Sequence, residues 1–124
     1  EKGSLYFIGF GVSKYRDKNL NLKYADQDIQ MQANTFAKMQ NQYKSIYTHQ
    51  FTNEMVTVDA IKRAKEILRA TKVEDTVILS ISGHGSFEKK SKDSNETYYF
   101  ITHETDINDL ENSAAPFELF EEIL

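Results

Sequence analysis

The sequence predicts an α/β domain with a mainly parallel sheet and helices on both of its faces. Three observations predict it. Short apolar runs alternate in order with stretches of helical periodicity: strand, helix, strand, helix, strand. Right-handed crossovers between such strands produce a parallel sheet with two helical layers. The third strand run, Val77 to Ile81, stops abruptly at Ser82-Gly83-His84-Gly85-Ser86, at the end where open α/β sheets place ligands and catalytic groups.

Leu5 to Phe10 is apolar almost throughout and reads as a strand buried on both faces. Gly9, Gly11 and Ser13 raise the question of a phosphate loop, but the full glycine fingerprint is missing. A strand end approached closely by other backbone is the simpler reading. Tyr24 to Met39 has Ala25, Ile29, Ala33, Phe36 and Ala37 at helical spacing, with Asp26 and Asp28 in the first turn, where carboxylates complement the helix dipole. One of these two aspartates is also a candidate for lining a pocket that takes a basic group.

Lys44 to Phe51, rich in Tyr and Ile, is the second strand, with His49 as an exposed or edge residue. Thr57 or Asp59 starts a helix reaching Ala70, with Lys62, Arg63, Lys65 and Arg69 as its solvated face. The central strand follows and ends at His84. Phe87 to Thr97 is polar and charged and reads as a mobile loop, Tyr98 to Thr102 returns as a strand, and Asn108 to Asn112 is an acidic loop. Pro116 is expected in the first turn of a closing helix. That apolar pattern runs to Leu124 without a stop signal, so an incomplete domain is expected, comprising 1–124 as one unit.

Composition narrows the function. The 124 residues are 40% apolar and 27% charged, with a net charge of −4, which gives no reason to expect nucleic acid or an anionic membrane as partner. No apolar run approaches the roughly 18 residues that span a bilayer, and the amino terminus does not look like a signal peptide. Cysteine is absent, which removes disulfides, thiolate metal sites and a nucleophilic cysteine from these residues. This is compatible with the cytosol, the expected compartment.

His84 is a sensible proton carrier, because the unperturbed imidazole titrates near neutrality. An adjacent glycine adds an unobstructed N–H for a developing oxyanion. His103, Glu104 and Asp106 lack a compact metal-ligand motif, so no metal site is expected. The acidic run from Glu104 to Glu111 could attract calcium, but a solvated loop is the simpler reading.

Several stretches together resemble the large-subunit portion of a caspase-like cysteine peptidase, closest to bacterial caspase-family proteins and metacaspases. They are Gly11 to Tyr15 (GVSKY), Leu20 to Asp28 (LNLKYADQD), Glu74 to Gly85 (EDTVILSISGHG) and Tyr98 to Asp106 (YYFITHETD). The resemblance implies a caspase-like three-layer α/β sandwich. In it His84 is the general base of a Cys–His dyad and Gly85 supplies an oxyanion-hole N–H. It also implies a cysteine roughly 50 residues after the histidine, and Leu124 falls short of that. The expected partners are therefore a polypeptide substrate, a carboxyl-terminal part of the peptidase carrying the Cys, and an upstream sensing or β-propeller module. No cofactor is implied beyond calcium activation in some members.

The neighbourhood Leu22-Lys23-Tyr24 lacks the arginine of aspartate-cleaving caspases. Aligning LKYADQDI with metacaspases places Asp28, or failing that Asp26, in the acidic role, so cleavage after Arg or Lys is expected. Lys89, Lys90 and Lys92 are then candidate self-cleavage sites. The competing reading is a non-catalytic homologue that serves as a scaffold or interaction module.

Overall fold

The computed structural model describes residues 2–89 and 95–124. Three parallel strands form its main sheet: β1 (Leu5–Gly11), β2 (Ile46–Thr52) and β3 (Thr76–Ser82), in the order β2-β1-β3. The register is continuous, with Leu5 opposite Ile46 and Thr76, and Gly11 opposite Thr52 and Ser82. All three carboxyl ends therefore finish at one level. The strand at the centre is β1. This corrects the expectation for the strand before His84: among the described residues β3 pairs with β1 alone and borders the sheet. Burial agrees, because Phe7, Ile8 and Phe10 of β1 are fully enclosed whereas Ile81 of β3 is exposed. A run of Val, Ile and Leu announces a strand but not its neighbours.

Alternation along β1 divides the interior into two layers. Phe7 points to one face and packs with Ile29 and Ala33 of helix α1 (Ala25–Ala37). Gly9 and Gly11 lie on the same face. A Cβ on Gly11 would stand 2.6 Å from the Ala25 carbonyl oxygen, so the helix backbone rests directly on the strand end. That is the close approach read from the sequence.

Ile8, Phe10 and Val12 face the other layer. It holds Ile61 of helix α2 (Val58–Arg63), Phe100 of strand β5 (Thr97–Phe100), Leu110 of helix α3 (Leu110–Ser113) and Phe120 of helix α4 (Glu118–Ile123). Phe10 stacks on Phe51 at 4.9 Å and meets Phe120 edge-on at 5.7 Å. Thr57 caps α2 by accepting the Ala60 N–H at 3.0 Å, and the helix continues as a 3-10 turn over Ala64–Leu68. Lys62, Arg63, Lys65 and Arg69 are exposed, with Arg63 paired to Asp59.

A second, antiparallel sheet runs β4 (Gly85–Glu88), β5, β6 (Ala115–Pro116). Three expectations change here. The segment read as a loop from Phe87 begins as strand, because β4 is exposed throughout and shows no burial pattern to betray it. Pro116 lies in β6 opposite Tyr99, not in the first turn of a helix; as a residue without N–H it suits an edge strand. Within the acidic stretch, buried Leu110 anchors the single turn of α3. Of the candidate self-cleavage lysines, Lys90 and Lys92 fall outside the described residues, and Lys89 follows β4 directly. Among the described residues no helix is long and apolar enough to cross a membrane.

Candidate active site

His84 follows the carboxyl end of β3 and meets the connection that leaves the carboxyl end of β1. The Val12 N–H donates to the Ser82 carbonyl at 3.0 Å and carries the β1–β3 contact one residue beyond the ladder. Gly83 then turns the chain at φ 150°, a backbone conformation that disfavours residues with a Cβ.

Three bonds hold His84. Its N–H donates to the Tyr15 hydroxyl oxygen at 3.0 Å, its carbonyl accepts the Ile101 N–H at 3.0 Å, and its Nε2 lies 2.7 Å from the Leu20 carbonyl oxygen. A carbonyl can only accept, so Nε2 carries the hydrogen and Nδ1 of the neutral ring keeps its lone pair. This tautomer is assigned from the bonding partner. Tyr15 is buried with its ring 5.4 Å from the imidazole, and burial raises the pKa of its hydroxyl above the ordinary tyrosine value, against the lowering effect of the bond from His84.

Leu20 reaches the histidine because the β1–α1 connection is tied to itself. Asp17 caps the 3-10 turn Lys18–Leu20 by accepting the Asn19 N–H. Asn21 Oδ1 accepts the Tyr15 N–H at 2.8 Å, and the Leu22 N–H donates to the Ser13 carbonyl at 2.7 Å. On the outer side, the Arg16 N–H donates to the His103 carbonyl, and His103 Nδ1 lies 2.7 Å from the Lys14 carbonyl oxygen.

The two candidate aspartates separate. Asp26 braces this loop: Oδ1 accepts the Ser13 hydroxyl at 2.9 Å and Oδ2 accepts the Asn53 side-chain amide at 3.0 Å. Asn53 Oδ1 in turn accepts the N–H groups of Ser13 and Lys14, both at 3.0 Å. Asn53 sits at φ 52°, a left-handed conformation that asparagine tolerates better than most residues. The Asn53 bond, with those from Ser13 and the Gln27 N–H, holds the Asp26 carboxyl below its ordinary value, while partial burial acts the other way.

Asp28 is exposed two residues further along, in the same first turn of α1. It borders a shallow groove with Met31, Gln32, Thr35 and Phe36. Gln32 accepts a hydrogen bond from Ser80, so this flank of α1 runs beside the open edge of β3.

Gly85 opens β4. Since Ile101 donates to the His84 carbonyl, the next pair, Gly85 and Phe100, occupies a non-hydrogen-bonded position of the antiparallel ladder. The Gly85 N–H therefore points away from β5. A Cβ there would meet nothing nearer than the Tyr99 carbonyl oxygen at 3.6 Å.

The acidic run serves two local turns and the start of α2. Asp106 Oδ1 accepts the Asn108 N–H, Asp109 accepts the Asn112 side-chain amide, and Glu104 Oε2 accepts the Val58 N–H. Among the described residues no group of three or more His, Asp or Glu is placed to hold a metal ion.

Sequence reasoning singled out His84, Gly85, Asp26 and Asp28 but not the groups that position them. Asn53 belongs to no motif, and Tyr15 read only as part of one. Leu20 acts through a backbone carbonyl, which no residue type announces. Comparison with known proteins finds no family model that matches this chain and no matching curated protein.

Proposed function

We propose that this chain is the histidine-bearing part of a caspase-like cysteine endopeptidase that cleaves polypeptides after Arg or Lys. The observation that carries the reading is the His84 ring. The Leu20 carbonyl engages Nε2 at 2.7 Å and leaves Nδ1 as the basic atom, at the carboxyl end of an open-edged strand. A general base needs a defined tautomer with its lone pair presented, and a backbone carbonyl supplies that orientation.

The chain contains no cysteine, so the thiol comes from a segment outside these 124 residues. The edge of β3, which no strand pairs among the described residues, suits the addition of a further strand carrying it. His84 Nδ1 takes the thiol proton, and the thiolate attacks the scissile carbonyl. The Gly85 N–H stabilises the resulting oxyanion. Collapse of this intermediate breaks the C–N bond as the imidazolium returns the proton to the leaving amine. Water, deprotonated by the same imidazole, then hydrolyses the thioester. Asp28, whose carboxylate is free of the loop network, pairs with the substrate cation. Asp26 has both oxygens engaged within the fold and is the weaker candidate.

The test incubates the full-length polypeptide that contains this chain with fluorogenic peptides ending in Arg, Lys or Asp, beside a His84→Ala control. Cleavage after Arg or Lys that vanishes in the control supports the proposal. No cleavage of any peptide, with and without calcium, favours a non-catalytic scaffold instead.

A further inference from the structure

The histidine is gripped at two points by one loop. Tyr15 and Leu20 belong to the same β1–α1 connection. The first holds the His84 backbone N–H at 3.0 Å and the second holds the ring Nε2 at 2.7 Å. Asn21 closes the loop between them by accepting the Tyr15 N–H at 2.8 Å. The buried Tyr15 ring sits in the larger core cluster with Phe10, Val12 and Phe100, so its hydroxyl is presented from a fixed base. Gly83 leaves room for that hydroxyl and no more, since a Cβ there would stand 3.0 Å from it.

We infer that Tyr15 is a positioning residue: its hydroxyl fixes the backbone of His84 so that the ring reaches the Leu20 carbonyl and stays in the Nε2–H form. Without the hydroxyl the His84 N–H loses its acceptor and the 83–84 backbone is freed from the loop. The imidazole can then leave the Leu20 carbonyl, and the proton redistributes between the two ring nitrogens. The phenyl ring of Tyr15 fills the core, while its oxygen sets the proton on another residue. This inference rests on reading His84 as the general base, where the tautomer decides which nitrogen meets the thiol.

The test reads the ring directly. Long-range proton–nitrogen correlation NMR on the uniformly labelled chain, at about pH 8 where an ordinary imidazole is neutral, gives the ratio of the two tautomers of His84. The wild type is expected in the Nε2–H form. Tyr15→Phe keeps the aromatic ring and is expected to lower the Nε2–H to Nδ1–H ratio by about threefold or more, the scale of one lost hydrogen bond. Tyr98→Phe removes an exposed hydroxyl whose partner is Glu96 and is expected to leave the ratio unchanged. Asn21→Ala, at an exposed position, loosens the same loop and is expected to shift the ratio in the same direction. A wild-type ratio in Tyr15→Phe, or in Asn21→Ala should Tyr15→Phe not fold, overturns the inference. The readout needs no substrate and no thiol, so it fails or succeeds separately from peptidase activity.

Discussion

The imidazole Nε2 of His84 lies 2.7 Å from the carbonyl oxygen of Leu20, although 64 positions separate the two residues in the chain. The contact joins the end of one strand to the loop leaving another, and it depends on backbone on one side only. That asymmetry makes it testable.

Changing the Leu20 side chain should leave the contact intact, while changing its backbone should not. Leu20→Ala trims a partly buried side chain and is expected to keep His84 in its wild-type tautomer. Leu20→Pro deletes the N–H that donates to the Asp17 carbonyl at 3.0 Å and restricts Asn19 as well. Its ring nitrogen shifts are expected to move toward an even mixture. Equal spectra from the two variants would show that the carbonyl does not orient the ring.

Asp26 ties the same loop to Asn53, and its lowered pKa fixes the sign of a pH effect. A carboxyl that binds its proton less readily in the folded than in the unfolded chain stabilises the fold fully above the ordinary value of about 3.9. That contribution is lost as pH falls through the lower native value. Asp26→Ala is expected to cost about 1 kcal/mol at pH 7, the scale of part-buried hydrogen bonds to a carboxylate once its solvent exposure is allowed for. Urea titrations of both proteins from pH 7 downward should show the gap shrinking below about pH 4. A constant gap would mean that the carboxylate charge plays no part.

The two glycines flanking His84 are not equivalent. Gly83→Ala places a Cβ 3.0 Å from the Tyr15 hydroxyl and 3.3 Å from the Phe100 ring at φ 150°, and should destabilise by about 1–3 kcal/mol. Gly85→Ala meets only an ordinary contact and should stay within about 0.5 kcal/mol of the wild type. Thermal melts of the pair decide this, and similar losses would refute the distinction.

Asp28 and Asp26 should also part in function. Asp28 is exposed, so Asp28→Ala is expected to change stability by less than about 0.5 kcal/mol. If the proposed function holds, in the full-length polypeptide it should abolish cleavage after Arg. Stability by denaturant and kcat/KM on an Arg peptide separate the two roles; a stable Asp28→Ala protein with full activity would remove Asp28 from the proposal.

What was legible in the sequence follows from where information is carried. The order of the main-sheet strands and their helices was legible because apolar spacing reports local conformation; of the two helix starts read from the sequence, Thr57 or Asp59, Thr57 is the one whose hydroxyl caps α2. The border position of β3 was not, since pairing depends on which strands meet and not on the composition of one. β4 escaped because all four of its residues are exposed and no face is marked by apolar side chains. Pro116 misled because one φ value serves both a helix start and an edge strand. At the candidate site, His84 and the aspartates were legible as side chains with chemistry. The Leu20 carbonyl was not, because every residue has one.

The division of the interior by β1 has a mechanical consequence. Under α1 lie Phe7, Ile29 and Ala33, with Phe36 and Ile78 packed against them and the glycine surface beside them; across the sheet lies the larger layer around Phe10 and Phe120. Each side reaches His84 by its own route: Asp26 in the first turn of α1 bonds to Ser13 of the β1–α1 connection, and Tyr15, seated in the aromatic layer, accepts the His84 N–H. In a close-packed interior a change of volume on either side is therefore expected to be felt at the imidazole.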